Sequence, residues 1–178
     1  MSSTESDTRK KIMTAAWDLL EAGRADAVRM SDIAKKAGIS RQAVYLHFPT
    51  RAELLVATVR NIDARLAASR AAKSGTDRLD AFIDAWGDYI PEIYGVGKAF
   101  MAMQDTDDAA AAAWRDRMQA VREGCAAAVK ALKDDGALSP SLTQKQATDL
   151  LWTLLSVRNW EQLTLDCGWP QKTYIKMM

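Results

Sequence analysis

Residues 31–51 have the sequence SDIAKKAGISRQAVYLHFPTR, and this stretch decides the predicted fold. A first helix is indicated by apolar residues at helical spacing, namely Ile33, Ala34 and Ala37. Gly38 follows where a helix ends in a left-handed residue, and Ser40 is suited to cap a second short helix. That second helix has Val44 and Phe48 on one side. The pattern predicts a helix-turn-helix, the arrangement that places a recognition helix in the DNA major groove.

The opposite side of the second helix carries Arg41, Gln42 and Tyr45. Arginine can donate two hydrogen bonds to guanine O6 and N7, and glutamine can pair with adenine N6 and N7. Tyr45 is suited to a phosphate or a thymine methyl group. The alternative is an ordinary solvated helix face. We expect these three residues to make the operator contacts.

The longer run VRMSDIAKKAGISRQAVYLHFPTRAELLVATV, residues 28–59, resembles the DNA-binding domain of the TetR family of transcriptional regulators. The IA…AGIS core, the aromatic Tyr45, the pair His47 and Phe48, and the RAEL segment that begins at Arg51 carry the resemblance. It covers roughly the first third of the chain. The family usually has threonine where this chain has Arg29, so Ser31 is expected to cap that helix, or Arg29 to reach a phosphate.

The resemblance implies an all-α protein with an N-terminal three-helix DNA-binding domain, residues 7–52, and a helical ligand-binding and dimerisation domain, residues 53–178. It implies a sequence-specific regulator, expected to be a repressor that a small ligand releases. Phosphate-positioning candidates are Arg29, Ser31, Lys35, Lys36, Ser40, His47 and Arg51. For Arg9, Lys10 and Lys11 two interpretations are equally expected: at least one of them contacts a phosphate, or all three form a solvated basic terminus.

Composition supports a water-soluble helical protein with a mildly basic N-terminal part, residues 1–60, which we call the head. The chain has 178 residues, 48% of them hydrophobic, and a net charge of +1. Residues 1–60 contain ten Lys and Arg against seven Asp and Glu, whereas the remainder contains fourteen against sixteen. The segment up to about Asp7 is expected to be disordered and does not resemble a signal peptide. No apolar run approaches the roughly 20 residues that a membrane span needs, so we expect a cytoplasmic protein.

The helical pattern continues along the chain. The predicted helices run from about Asp7 to Ala22, with Gly23 ending the helix, from Arg51 to about Ala72 after a capping box of Thr50 and Glu53, from Thr76 to Pro91, which ends or kinks the helix, from Thr106 to about Lys133, from Thr143 to Cys167, and from Trp169 onward. Residues 92–104, which contain Gly95 and Gly97, are expected to form a broken connector after Pro91.

Aromatic and methionine residues are concentrated between Phe82 and Met118. Plain core accounts for any single one of them, but the group favours a pocket for a small apolar or aromatic ligand. The expected ligand contacts are Trp86, Tyr89, Met101, Met103, Trp114 and Met118. The resemblance also implies a homodimer on a palindromic operator, with Trp152 and Trp160 on a helix at the subunit interface or, alternatively, buried within the monomer.

Other kinds of site have little support in the sequence. Cys125 and Cys167 lack metal-ligand spacing and are expected to be reduced thiols. Asp105, Asp107 and Asp108 fit the start of a helix better than a cation site. No cofactor, metal or catalytic site is expected, because His47 is the single histidine and has no partner nearby in sequence. Two alternatives remain: a helical adaptor whose head binds protein, and an all-helical enzyme.

Overall fold

The computed structural model describes residues 2–22, 28–59 and 67–178, in which every regular element is helical. The prediction of an all-α fold is confirmed. The helices are α1 (Ser2–Glu21), α2 (Met30–Ala37), α3 (Arg41–His47), α4 (Arg51–Thr58), α5 (Ala67–Ala71), α6 (Gly75–Met103), α7 (Asp108–Asp134), α8 (Gln144–Leu154), α9 (Val157–Glu161), which continues as a π-helical segment (Gln162–Asp166), and α10 (Gln171–Met177).

The chain divides by packing into two compact units. Unit 1 contains residues 1–61 and 93–117, and unit 2 contains residues 62–92 and 118–178. Part of α6 and part of α7 thus pack with the helix-turn-helix, a grouping that the expected boundary after residue 52 does not include.

The helix-turn-helix forms with the predicted local signals. Gly38 has φ +68°, and the N–H of Ile39 donates to the carbonyl of Ala34 at 3.1 Å, which closes α2. The Ser40 hydroxyl accepts a hydrogen bond from the N–H of Ala43 at 3.1 Å and caps α3. These contacts fix the turn from within the chain segment itself, because each satisfies a backbone group that the end of a helix leaves open.

The start of α2 differs from the prediction that Ser31 caps it. Arg29 occupies the capping position in extended conformation, without a side-chain cap, and Ser31 lies inside the first turn. The reason is burial: Val28 is fully buried and Met30 is 5% exposed. Packing both of these neighbours inward sets the entry into the helix at Arg29.

The cap of α4 is formed in part as predicted. The Thr50 hydroxyl accepts from the N–H of Glu53 at 3.2 Å. The carboxylate of Glu53 accepts from the Thr50 hydroxyl at 3.1 Å. Both residues of the predicted box therefore engage each other at the first turn of α4.

The ends of the first and fourth predicted helices need correction or lie outside the described residues. The structure begins α1 at Ser2, whereas disorder up to Asp7 was expected; adding a residue to an existing helix needs no new nucleus and gains a backbone hydrogen bond. Gly23, the predicted end of that helix, lies outside the described residues. The predicted helix from Arg51 to Ala72 is described as α4 and α5, and the residues 60–66 between them also lie outside.

The core of unit 1 joins the helix-turn-helix to the adjoining parts of α6 and α7. The fully buried side chains at its centre are Ile12, Leu20, Val28, Ile33, Val44, Leu54 and Leu55. Phe100 of α6 is 1% exposed and stacks on Trp114 of α7 with a centroid separation of 6.3 Å. Helix α3 thus packs on a core to which five other helices, α1, α2, α4, α6 and α7, contribute.

Helix α6 continues through Pro91, so the predicted break and connector are wrong. Proline cannot donate to the carbonyl four residues earlier, here Gly87. In unit 2 the amide Nε2 of Gln171 donates to that carbonyl at 2.7 Å. Because a side chain from α10 supplies the missing donor, the helix passes through Pro91 and on through Gly95 and Gly97 without a break.

The helix predicted from Thr143 to Cys167 is divided in two. Its start is as predicted, because Thr143 and Gln146 form a complete capping box. The division comes at Ser156, whose hydroxyl accepts from the N–H of Asn159 at 3.1 Å and caps a new helix, α9. Leu155 and Val157 on either side are both buried, so the bend places two apolar residues in the core of unit 2.

Candidate nucleic-acid interface

The outer face of α3 carries the three residues predicted to make operator contacts. Arg41, Gln42 and Tyr45 are all exposed, whereas Val44 on the same helix is fully buried. Phe48, which ends α3, is 1% exposed and packs into the core of unit 1. The structure thus brings the three predicted residues together on one solvent-facing side.

Arg41 and Tyr45 interact with each other along that face. The guanidinium Nη2 donates to the Tyr45 hydroxyl at 3.3 Å, and its carbon lies 5.5 Å from the ring centroid. The two residues are one turn apart, the spacing at which helix side chains meet. They therefore project as a pair, which restricts the directions in which the guanidinium points.

Leu46 is a residue of this face that the sequence reasoning missed. Its exposed fraction is 81%, the largest among the exposed large apolar side chains of the described residues. It follows Tyr45 and lies four residues after Gln42. The signal available in the sequence was that a leucine stood outside the buried stripe formed by Val44 and Phe48.

Two further residues adjoin the ends of α3. The Ser40 side chain is exposed but is engaged in its cap. His47 is half-buried at the last turn, where its carbonyl accepts from Nη1 of Arg9 at 2.9 Å. The Arg9 guanidinium also lies 4.1 Å from the centroid of the Phe48 ring. Arg9 therefore ties α1 to the carboxyl end of α3, an end that favours a cation.

The last turn of α2 carries Lys35 and Lys36, both exposed. Lys36 forms an ion pair with Asp18 of α1, with 3.2 Å between Nζ and the carboxylate oxygen. Both partners are well exposed, so the pair contributes little to stability and leaves the ammonium group accessible to another anion.

Five of the predicted DNA-contact residues line one cleft of about 550 Å³ in unit 1. They are Arg29, Ser31, Arg41, Tyr45 and Arg51, and the other lining residues are Met30, Met103, Thr106 and Asp107. The cleft lies between the start of α2, the outer face of α3 and the segment that joins α6 to α7. The exposed Arg29 and Arg41 give this cleft a basic surface suited to phosphate oxygens.

Arg51 differs from the other basic residues because its side chain is engaged within the protein. Its Nε donates to the carbonyl of Val28 at 2.5 Å, and its Nη1 pairs with the carboxylate of Asp107. The exposed fraction of the Arg51 side chain is 22%. Asp107 is a second residue that the sequence reasoning missed as part of this surface, since nothing in the sequence relates two positions 56 residues apart.

Asp107 also caps α7. Its Oδ1 accepts from the N–H groups of Ala109 at 3.0 Å and Ala110 at 3.1 Å. Partial burial by itself would raise the pKa of Asp107, but the hydrogen bonds from Arg51 and from these two N–H groups outweigh it and hold the pKa below its ordinary value. Asp105, Asp107 and Asp108 were expected to mark the start of a helix, and Asp107 confirms this by capping α7.

The six residues expected to contact a ligand are divided between the units. Unit 2 contains Trp86, Tyr89 and Met118, and unit 1 contains Met101, Met103 and Trp114. Trp86 is 2% exposed, with its ring 6.3 Å from that of Tyr89 in an edge-on arrangement. The Trp86 Nε1–H lies beside the Tyr174 hydroxyl without a hydrogen bond of normal geometry. In unit 1, Met103 is buried in the hydrophobic core and the partly buried Trp114 packs against that core.

Unit 2 also presents apolar side chains to solvent. Leu150 and Leu154 of α8 are 52% and 40% exposed, and Leu165 is 56% exposed. Trp152 is half-buried, with the Arg122 guanidinium carbon 5.2 Å from its ring centroid. Trp160 is buried, and its Nε1 donates to Gln171 at 2.8 Å. Of the two tryptophans expected at a dimer interface, only Trp152 is accessible in the single chain.

The thiols and the acidic residues form no additional site in the part of the chain that the structure describes. Cys125 and Cys167 are both free, and burial raises the pKa of Cys125 to about 12, which keeps it protonated and unreactive. Residues 2–22, 28–59 and 67–178 contain no cluster of His, Cys, Asp and Glu suited to a metal ion.

Residues 12–58 match the family model described as bacterial regulatory proteins, tetR family. Residues 12–58 therefore form a TetR-family domain, which confirms for this part of the chain the resemblance found in the sequence. A relative from Rhizobium meliloti (strain 1021), the HTH-type transcriptional regulator BetI, is 34% identical over 80 residues. That stretch covers 42% of this chain but only 39% of the relative.

Solved structures show that the TetR-like fold extends beyond the matched domain. A Rhodococcus protein assigned as a TetR-family transcriptional regulator has a TM-score of 0.76 at 22% identity, over 97% of this chain and 94% of that one. A transcriptional regulator from Saccharomonospora viridis, solved in complex with choline, has a TM-score of 0.75 at 18% identity, over 97% and 93%. None of the described helices is sufficiently long and apolar to cross a membrane.

Proposed function

We propose that this protein is a sequence-specific, DNA-binding transcriptional regulator of the cytoplasm. The observation that carries the proposal is the outer face of α3, where Arg41, Gln42 and Tyr45 stand exposed on a helix held by a capped, glycine-containing turn. Arg41 and Gln42 contact base edges. Tyr45 contacts a phosphate or a thymine methyl group, and Leu46 contacts a thymine methyl group. Residues 7–52 act as the DNA-binding domain and residues 53–178 as the ligand-binding and dimerisation domain.

The surrounding polar residues position the protein on the phosphate backbone. The proposed set is Arg29, Ser31, Lys35, Lys36, Ser40 and His47; the side chain of Arg51 is engaged within the protein. Such contacts set orientation and affinity without reading sequence. Because several of these residues are basic and exposed, binding should weaken steeply as salt concentration rises.

The protein acts as a homodimer on a palindromic operator. Leu150, Leu154 and Leu165 are exposed apolar side chains in unit 2, together with the half-buried Trp152, and burying them against a second copy removes them from water. A two-fold dimer presents two copies of α3, which require half-sites about one helical turn, or slightly more, apart. A footprint with one asymmetric half-site would contradict the dimer.

The operator contact is tested with DNA from upstream of the protein's own gene, by fluorescence anisotropy. Replacing Arg41 by alanine should cost about 1–3 kcal/mol of binding free energy and relax preference at one base pair in each half-site. Lys133→Ala, which removes an exposed cation at the end of α7, is the control and should change little. Absence of any duplex binding by the wild-type protein would favour the adaptor alternative.

The regulator is a repressor released by a small apolar or aromatic ligand, with Trp86 and Tyr89 as its principal contacts in unit 2. The unpaired indole N–H of Trp86 is a buried donor that a polar group on the ligand would satisfy. Aromatic rings also bind quaternary ammonium groups, and the structural relative from Saccharomonospora viridis was solved with choline. Choline is therefore the first ligand to test, beside neutral aromatic compounds.

Release is tested by tryptophan fluorescence titrations with and without operator DNA. By linkage, a ligand that weakens operator binding must itself bind more weakly in the presence of the operator, by the same factor. A coupling of about 1–3 kcal/mol is expected. Ligand affinity that does not depend on the operator would exclude this mechanism, and transcription in vitro would show whether the bound protein represses.

A further inference from the structure

The ion pair between Arg51 and Asp107 connects three helix starts within unit 1. Arg51 is the first residue of α4, and its Nε donates to Val28, two residues before α2 begins. Asp107 is the residue before α7 and caps it with one carboxylate oxygen, while the other accepts from Arg51. One guanidinium and one carboxylate thus hold the beginnings of α2, α4 and α7 together.

The pair also adjoins the proposed DNA surface. Arg51 and Asp107 line the same cleft as Arg29, Arg41 and Tyr45. A guanidinium that contacts phosphate directly needs donors directed toward solvent. Two of the donor groups of Arg51 are instead directed inward, and about three quarters of the side chain is covered. Its charge is partly neutralised by Asp107.

We infer that Arg51 is a positioning residue for DNA binding, which acts through Asp107 and Val28, and that Asp107 belongs to the DNA-binding machinery. The pair fixes the start of α2 against α4 and α7, and α3 follows α2 after a turn of only a few residues. Loss of the pair would let α2 and α3 shift, so that Arg41 and Gln42 no longer meet their bases. The inference rests on the proposed function and differs from the sequence expectation that Arg51 contacts a phosphate.

The two roles predict different salt dependence, which provides the test. Losing a phosphate contact lowers the slope of log K against log salt concentration by about 0.9 and weakens all duplexes alike. Losing a positioning contact lowers affinity for the operator while the slope and the affinity for a random duplex remain unchanged. The experiment measures both affinities at several salt concentrations for the full chain and its variants.

Asp107→Asn is the key variant, because asparagine also caps helices and so keeps α7 intact while the negative charge is removed. Arg51→Gln is the partner variant, and Lys35→Gln, at an exposed lysine of α2, is the control for a true phosphate contact. Asp107→Asn and Arg51→Gln should each lower operator affinity about tenfold, as expected for a lost charged hydrogen bond, with an unchanged salt slope. Lys35→Gln should lower the slope.

The inference is overturned if Arg51→Gln lowers the slope by about 0.9, or if Asp107→Asn binds the operator as tightly as the wild type or more tightly. Arg51→Lys adds a check that does not depend on charge: lysine retains the cation but lacks the planar fork, so it should not restore operator affinity. If the wild-type protein shows no preference for any duplex over a random one, the proposed function fails, and this result is distinct from a failure of the Arg51 assignment.

Discussion

The turn between α2 and α3 and the middle of α6 each contain a residue that commonly ends a helix, but the helix ends at only one of them. At Gly38 the backbone turns into the left-handed region, and the open carbonyls of α2 are satisfied by the next few residues. At Pro91 the carbonyl left open belongs to Gly87, and its donor is Gln171, which lies 84 residues away in sequence. A residue that commonly ends helices therefore need not end one when a distant side chain replaces the lost hydrogen bond, as Gln171 does at Pro91.

The largest expected effect is on the local side of this comparison, at Phe48. Phe48 ends α3 and is 1% exposed, so Phe48→Ala removes a buried aromatic ring and should lower the free energy of unfolding of the head by roughly 3–5 kcal/mol. Urea denaturation followed by circular dichroism measures the loss. Operator binding should disappear while the dimer persists, and normal operator affinity would show that the core of the head is misassigned.

The distant side of the comparison is tested at Gln171. Gln171→Leu removes the side-chain donor to the Gly87 carbonyl and the acceptor of the hydrogen bond from Trp160 Nε1, and should cost about 2 kcal/mol of stability. Pro91→Ala restores a backbone N–H that can donate to Gly87. In a double-mutant cycle the two changes should therefore be non-additive, with Pro91→Ala reducing the cost of Gln171→Leu. Additive effects would mean that Gln171 does not support α6.

The turn itself provides a smaller effect. A Cβ added at Gly38 meets nothing within 4 Å, so we expect backbone strain at the positive φ to dominate the cost of Gly38→Val, on the order of 1–2 kcal/mol. Gly38→Asn, which tolerates the left-handed conformation better, is the matched control and should cost less. Thermal unfolding of the two variants distinguishes strain from steric overlap, because overlap would make the two costs similar.

The sequence was sufficient for features whose partners lie within a few residues. The cap at Ser40, the turn at Gly38, the box at Thr143 and the exposed face at Arg41 depend on neighbours in the chain, and the structure has them as expected. Spacing along a helix also predicts which residues share a face, since that depends only on the helical period.

Features that depend on distant partners could not be predicted from the sequence. Continuation through Pro91 needs Gln171, and the internal engagement of Arg51 needs Asp107. The start of α2 at Arg29 depends on the burial of its neighbours in a core built from several helices. The sequence shows that aromatic and methionine residues are concentrated around Trp86, but it does not show how they divide between the two packing units. Proximity in sequence does not determine which core a side chain joins.

The smallest expected effect is at Leu46. A variant at this position tests whether the outer face of α3 contacts DNA bases or is an ordinary solvent-exposed helix face. Leu46 is 81% exposed, so Leu46→Ala should leave the stability of the head nearly unchanged, in contrast to Phe48→Ala two residues later. If its side chain contacts a thymine methyl group, the variant should lose about 0.8 kcal/mol of operator affinity, roughly fourfold, as expected for one buried methyl-sized group.

Replacing single thymines of the operator by uracil removes the same methyl group from the DNA. At the contacted position, uracil should weaken the wild-type protein about fourfold and leave the Leu46→Ala variant unaffected, because the contact is already absent. Equal effects of uracil on both proteins at every position would mean that Leu46 does not contact the operator, and the exposed leucine would then have no part in sequence recognition.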